Sequence, residues 1–263
     1  MHLKKQINLV LLAFCFFFVC VGGYSIYRIS AIQAGYAAAR KEYIEIQEEY
    51  KTEKPAWDFK VIEEGVSTPG SPVHVNFDAL RRSMNGEICA WIRCPETVID
   101  YPVAQHSDNS FYLSHSANMT ESSSGAIFID ASNFNDFRDR NTILHGHHMG
   151  DGSMFASLKY WYRDENYIAE HPVMYLNTAS SGDYRIELFA GFETVESSRA
   201  YQFEFSGKDD IDSWISWVLL NNQIPNPPPV PVSCEDRFIT LSTCAYSSDD
   251  ARTVLIGKLV PIG

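Results

Sequence analysis

The sequence is short of several things, and each shortage narrows what the chain can be. Of 263 residues only 21 are Lys or Arg, against 33 Asp or Glu, for a net charge of −12. Neutralising a phosphate backbone takes clustered Lys and Arg, so nucleic acid is not the expected partner. The acidity reads instead as surface solubility. Gly (15) and Pro (12) are not enriched, which excludes a low-complexity body. No internal repeat is visible. There is no Glu-x-x-His and no Cys-x-x-Cys, the spacings that announce many zinc sites. Six cysteines are few for a domain built on disulfides. Cys15 and Cys20 fall in an apolar run. Cys89 and Cys94 flank Ala90–Arg93, and on a strand that separation sends their side chains to opposite faces, against a bond between them. They read as buried thiols, while a pair involving Cys234 stays open.

What is present begins at the N-terminus. Lys4 and Lys5 precede Ile7–Tyr27, 21 residues without a charge. About 20 apolar residues span a bilayer as a helix, and no small-residue cleavage site follows. The expectation is an uncleaved anchor: residues 1–6 cytoplasmic, 7–27 in the membrane, the remainder outside by the positive-inside rule. Arg28, Arg40 and Lys41 after the span weigh against that orientation. From Ser30 to Lys54, Ile32, Tyr36, Ala39, Tyr43, Ile46 and Tyr50 recur at three- and four-residue spacing. This predicts an amphipathic helix ended by Pro55, either a stalk or a helix packed on the domain. Glu63–Pro72 reads as a linker. The division is then a helical stalk and linker over 28–74 and a globular domain over 75–263.

Within that domain strands outnumber helices. Strands are expected at Glu87–Arg93, Thr97–Val103, Gly125–Asp130, Asn141–His147, Val173–Asn177, Tyr184–Val195, Phe238–Cys244 and Thr253–Val260, from their β-branched and aromatic content. Helices are expected at Asn76–Asn85, at Ser153–Trp161 with Ser153 as cap, at Arg163–Glu170, and at Asp209–Leu220 with Trp214, Trp217 and Val218 inward. Pro225, Pro227, Pro228, Pro229 and Pro231 make Asn221–Ser233 a surface loop. Helices do not alternate with strands, so the fold class is mainly β: an antiparallel or mixed β-barrel with peripheral helices.

Three places carry chemistry. Phe238–Cys244 delivers a thiol at a strand end, before a turn-like Tyr246–Asp250. Arg252 opens the next strand. Upstream, Asn141–Leu144 runs into His145-Gly146-His147-His148. Separately, each has an ordinary reading: a small buried residue, a surface ion pair with Asp249 or Asp250, a two-ligand fragment of a metal site. Together, thiol, imidazole and guanidinium are the parts of a cysteine-nucleophile site. In an extended strand His145 and His147 would share a face, with His148 opposed.

Thr240-Leu241-Ser242-Thr243-Cys244 matches the Thr-Leu-x-Thr-Cys signature of sortases. Leu144-His145-Gly146-His147-His148-Met149 followed by Ser153-Met154-Phe155 is similar to the segment around the sortase histidine, and Arg252 falls where the sortase arginine does. The helix before the domain and Asp209–Leu220 look like class B. The resemblance covers roughly Val75 to the C-terminus. One departure is His145, where class B sequences usually carry a tyrosine. The resemblance implies a membrane-anchored transpeptidase of the Gram-positive envelope, needing no cofactor and no metal. Cys244 would form a thioacyl enzyme after the Thr of a sorting signal, of Asn-Pro-x-Thr or Leu-Pro-x-Thr type. His147 would be acid and base, and Arg252 would hold substrate and oxyanion. The acceptor would be an amine of a cell-wall precursor or a pilin. Ser242 lies on the nucleophile's strand face with Thr243 between them. By resemblance Asn109 and Leu113 would line the groove, and Glu196–Asp236 would form the wall that selects the motif. Two competing functions remain: a cysteine protease releasing proteins to water, and a metal-binding or adhesive module using His145, His147 and His148.

Overall fold

A computed structural model describes residues 2–53, 73–245 and 250–262, with side chains from residue 11 onward. The proposed linker Glu63–Pro72, Pro55 and the turn Tyr246–Asp249 lie outside the described residues. The chain divides into two compact units, Met1–Lys41 and Glu42–Gly263. Helix α1 covers His2–Tyr50. Among the described residues it is the one helix long and apolar enough to cross a membrane.

The amphipathic helix was expected to run to Lys54. It stops at Tyr50, because Lys51–Glu53 (β1) pairs antiparallel with Val73–Val75 (β2). Of the two expected roles, stalk or packed helix, residues 42–50 take the second. Tyr43 and Ile46 are buried. Gln47 donates to the Asp100 carbonyl at 2.8 Å, and Tyr50 shares a 2.8 Å bond with Ser83. Lys51 pairs with the Asp100 carboxylate.

Helix α2, Phe77–Ser83, is capped by the Asn76 side chain, which accepts from Ala79 N. Then follow β3 (Ile88–Arg93), β4 (Asp100–Ala104), β5 (Ile127–Ile129) and β6 (Asn141–His145). Ser153 does not cap a helix over Ser153–Trp161. Its hydroxyl donates to Asp151 instead, and the segment forms a 3-10 turn, Ala156–Lys159, before α3 (Tyr160–Arg163). The helix expected at Arg163–Glu170 shrinks to α4 (Tyr167–Glu170). The chain continues through β7 (Val173–Thr178), β8 (Asp183–Val195), α5 (Lys208–Asn221), β9 (Phe238–Cys244) and β10 (Ala251–Ile262).

Eight of these strands close into a barrel in the order β10-β8-β7-β3-β4-β5-β6-β9. Pairing is antiparallel except between β4 and β5 and between β6 and β9, so the expected mixed barrel with few helices is what forms. Helix α5 covers the outside. Trp214 and Val218 pack with Phe189, Phe192, Phe238 and Val254, while Trp217 is partly buried against the same cluster. The proline-rich loop is tied down at its end, where Lys258 donates to the Pro231 carbonyl at 2.9 Å. All six cysteines are free thiols. Burial pushes Cys89 and Cys94 up to about 12, so both stay inert and neutral.

The two parallel pairings position the site. Because β6 and β9 run the same way, their C-terminal ends reach the same rim, with His145 beside Ser242. Because β9 and β10 are antiparallel, the start of β10 meets the end of β9, and Arg252 stands directly opposite Cys244.

Candidate active site

At that rim a cleft of ≈ 500 Å³ is lined by Cys244, Arg252, His145, His147, Asn109, Leu113, Ser242 and Thr243, together with Phe128, Asp130, Glu196, Tyr201 and Phe203 among others. Cys244, His147, Arg252, Ser242, Thr243, Asn109 and Leu113 therefore border one cavity, whereas His148 does not line it and the expected wall Glu196–Asp236 contributes Glu196, Tyr201 and Phe203.

Cys244 is exposed at the last position of β9. Opposite it, the Arg252 guanidinium donates to Glu196 Oε2 at 2.6 Å and to the Ala251 carbonyl at 3.0 Å. Glu196 is thus a partner of Arg252 not foreseen from the sequence; it follows β8, where Glu196 N bonds Asp250 O at 3.2 Å, while Asp249 lies outside the described residues. Ser242 shares a 2.7 Å hydrogen bond with the Tyr201 hydroxyl. Thr243 borders the cleft but is 3 % exposed, and its buried hydroxyl has no hydrogen-bond partner among the described residues. Strand alternation turns it away from the face that Ser242 and Cys244 share.

The three histidines do not follow one extended strand. β6 ends at His145, so the alternation expected for His145, His147 and His148 does not apply. A glycine is required between His145 and His147, since a Cβ at Gly146 would overlap Ile127 and stand 2.8 Å from the Phe155 ring. The three rings go to three partners. His145 Nε2 meets Asp130 Oδ2 at 3.0 Å and lies between Phe128 and Tyr201. His147 Nε2 donates to the Leu113 carbonyl at 2.7 Å. His148 Nδ1 donates to the Cys244 carbonyl at 3.0 Å, and its Nε2 accepts from Lys159 at 3.2 Å. Burial, and then the charges of Lys159 and Arg163, lower the His148 pKa against the opposing pull of the Cys244 carbonyl. That ring is neutral and braces the nucleophile's backbone. Among the described residues no group of three His, Cys, Asp or Glu is arranged to hold a metal ion.

Asp130 was not foreseen as a site residue. Burial opposes its ionisation, but the His145 hydrogen bond, the Ser132 N–H and the His145 charge outweigh it and bring its pKa down to about 2. It also accepts from Asn109 Nδ2 at 2.8 Å, while Asn109 Oδ1 takes Ala131 N at 2.7 Å. Asn109 is therefore a cross-brace between the loop before the Phe111–Leu113 turn and the end of β5. Period-two alternation along Phe128–Asp130 was the signal available for Asp130. Tyr201 and Phe203 carried none, because they sit at and just after the short 3-10 turn Arg199–Tyr201, outside any periodic element.

A family model for the sortase domain matches residues 92–260. Sortase B of Listeria monocytogenes is 37 % identical over 187 residues, covering 70 % of this chain and 74 % of the relative. The chain belongs to the sortase family, class B. Sortases are cysteine transpeptidases, and so is this one. The crystal structure of sortase B from B. anthracis in complex with AAEK1 superposes with a TM-score of 0.72 at 30 % identity, covering 87 % of this sortase and 99 % of that chain. A Staphylococcus aureus sortase B–substrate complex superposes at 0.66 with 29 % identity, covering 71 % and 85 %.

Proposed function

We propose that this sortase is anchored in the cell membrane by its N-terminal helix, with residues 1–6 cytoplasmic, 7–27 in the bilayer and the barrel outside. There it cleaves a sorting signal after Thr and passes the acyl group to an amine of the cell wall. The carrying observation is the antiparallel register that sets Arg252 opposite Cys244, with His147 on the same cleft. In this reading Cys244 Sγ attacks the Thr carbonyl carbon as thiolate, its proton having passed to His147. Charge develops on the carbonyl oxygen beside the permanently charged Arg252. His147 then protonates the leaving amine, without which a thiol does not cleave an amide, and a thioester remains. An incoming amine attacks the thioester, His147 takes its proton, and the Cys244 thiolate leaves.

The tautomer follows from a simple constraint. The Leu113 carbonyl can only accept, so His147 Nε2 carries a hydrogen and Nδ1 is the nitrogen assigned to proton transfer. Asn109, Leu113, Ser242 and Thr243 are proposed to contact the signal, Thr243 through its backbone. Glu196 leaves Arg252 as the signal enters.

The test uses the full-length protein in detergent micelles with peptides carrying Asn-Pro-x-Thr or Leu-Pro-x-Thr. Mass spectrometry should find an acyl adduct on Cys244 with the Asn-Pro-x-Thr type, absent in Cys244→Ala. An added amine should divert the product from hydrolysis to transfer. A folded protein with an alkylatable Cys244 and no adduct from any peptide would sink the reading.

A further inference from the structure

His147 is not held by its own strand, so something else must fix its ring and its loop. The ring rests over Gly125. That residue has φ +58, and a Cβ there would overlap the Tyr112 carbonyl and stand 3.0 Å from His147 Cδ2. Gly125 in turn is held from below: the Tyr43 hydroxyl, on α1, donates to its carbonyl oxygen at 2.8 Å in a buried site. Burial raises the Tyr43 phenol far above its ordinary range, with the Glu42 charge adding to it. The hydroxyl therefore keeps its proton and remains a donor.

The loop beyond the ring is clasped from a second side. Phe155 N donates to the His147 carbonyl at 3.0 Å, and Met154, at φ 56, bridges to His148. The Met154 N–H donates to the Tyr101 hydroxyl at 3.0 Å. Tyr101 packs edge-on against Tyr43, with ring centroids 5.1 Å apart at 85°. Two separate contacts to the histidine loop thus converge on one side chain, 82 residues from Gly125 in sequence.

We propose that Tyr43 is a positioning residue for His147, acting through the Gly125 carbonyl on one side and through Tyr101 and Met154 on the other. It touches no substrate. The inference rests on the reading of His147 as acid and base. Small displacements of a proton-transfer group are costly, since about 1 Å can lose on the order of 10²-fold in rate. A ring held by a tyrosine on a separate helix depends on that helix for its aim.

Tyr43→Phe keeps the ring against Tyr101 and removes only the donor to Gly125. Tyr101→Phe removes the acceptor for Met154. Both are made in the full-length protein in micelles, beside His147→Ala. Each phenylalanine variant is expected to lower kcat by about tenfold with KM for the signal peptide within about twofold, the split of a group that acts in the transition state. The imidazole ¹⁵N resonances of His147, which report the hydrogen on Nε2, should shift in both. Parent kcat and a parent resonance in the two variants overturn the inference, as does a loss of melting temperature alone. If Tyr43→Phe does not fold, Tyr101→Phe decides by the same two readouts. Full activity in His147→Ala would instead overturn the catalytic reading on which the inference stands.

Discussion

The two flanks of the cleft are built differently. On one flank, the backbones of Cys244 and Arg252 are set by strand register: they occupy facing positions on β9 and β10, at the end of an unbroken ladder that runs back to Phe238 and Lys258. On the other, His147 lies past the end of β6 and is placed by groups from elsewhere, the Leu113 carbonyl, the bare Cα of Gly125 and the Phe155 N–H. A ladder places two side chains through many bonds, each replaceable. A loop places one side chain through a few contacts, and losing any one is felt. The same difference explains why His145 and His147, two residues apart, do unrelated things: one ends the ladder and pairs with Asp130, the other begins the loop.

Removing a group from the ladder flank should abolish its function and leave the fold. Arg252→Ala is expected to lower kcat/KM on the order of 10²–10³-fold, the usual cost of one oxyanion donor, with the melting temperature nearly unchanged. Arg252→Lys should restore little, because a point charge does not replace a planar fork. Comparable peptide turnover in Arg252→Ala would assign the oxyanion to other donors.

Changing the loop flank should couple activity to stability. Gly125→Ala puts a Cβ into the Tyr112 carbonyl and against the imidazole at a backbone angle of φ +58. The expected cost is about 1–3 kcal/mol of stability for the strained conformation, with kcat falling in parallel. Thermal melts and single-turnover rates on the same samples would show it. Stability lost with full rate retained would mean that the ring does not depend on this seat.

The smallest effect belongs to the pair joining the flanks, Asp130 and His145. The folded pKa of Asp130 is depressed to about 2, below its ordinary value of about 3.9. The stability it contributes is fully present above pH ~4 and is lost as pH falls through about 2. Asp130→Asn should therefore lower stability throughout the range above pH ~4 and flatten the acid limb of stability against pH between ~4 and ~2. An unchanged acid limb would remove the pair from the account.

Legibility followed the same division. The boundaries of β9 were readable because seven consecutive residues suit a half-buried pleat, and β5, β6 and β8 shifted only at their ends. Helix α5 was readable from Trp214 and Val218 on one face. Ser153 misled, because a serine before an apolar run looks like a cap until Asp151 is found holding its hydroxyl. Lys51–Glu53 misled, because Lys51 and Glu53 favour helix while their backbone is claimed by Val73–Val75. Asn109 and Leu113 border the cleft, but nothing local says that Asn109 braces Asp130 or that the Leu113 carbonyl holds His147.

From its sequence alone the chain determined a mainly β domain, an apolar N-terminal helix, and a thiol, an imidazole and a guanidinium at strand ends, because period, propensity and residue chemistry are local. The tertiary structure decided which histidine nitrogen carries its hydrogen, that Glu196 reaches Arg252, and that Tyr43 stands beneath Gly125. Those are contacts between residues far apart in the chain, fixed by how the barrel closes, and no spacing in the sequence encodes them.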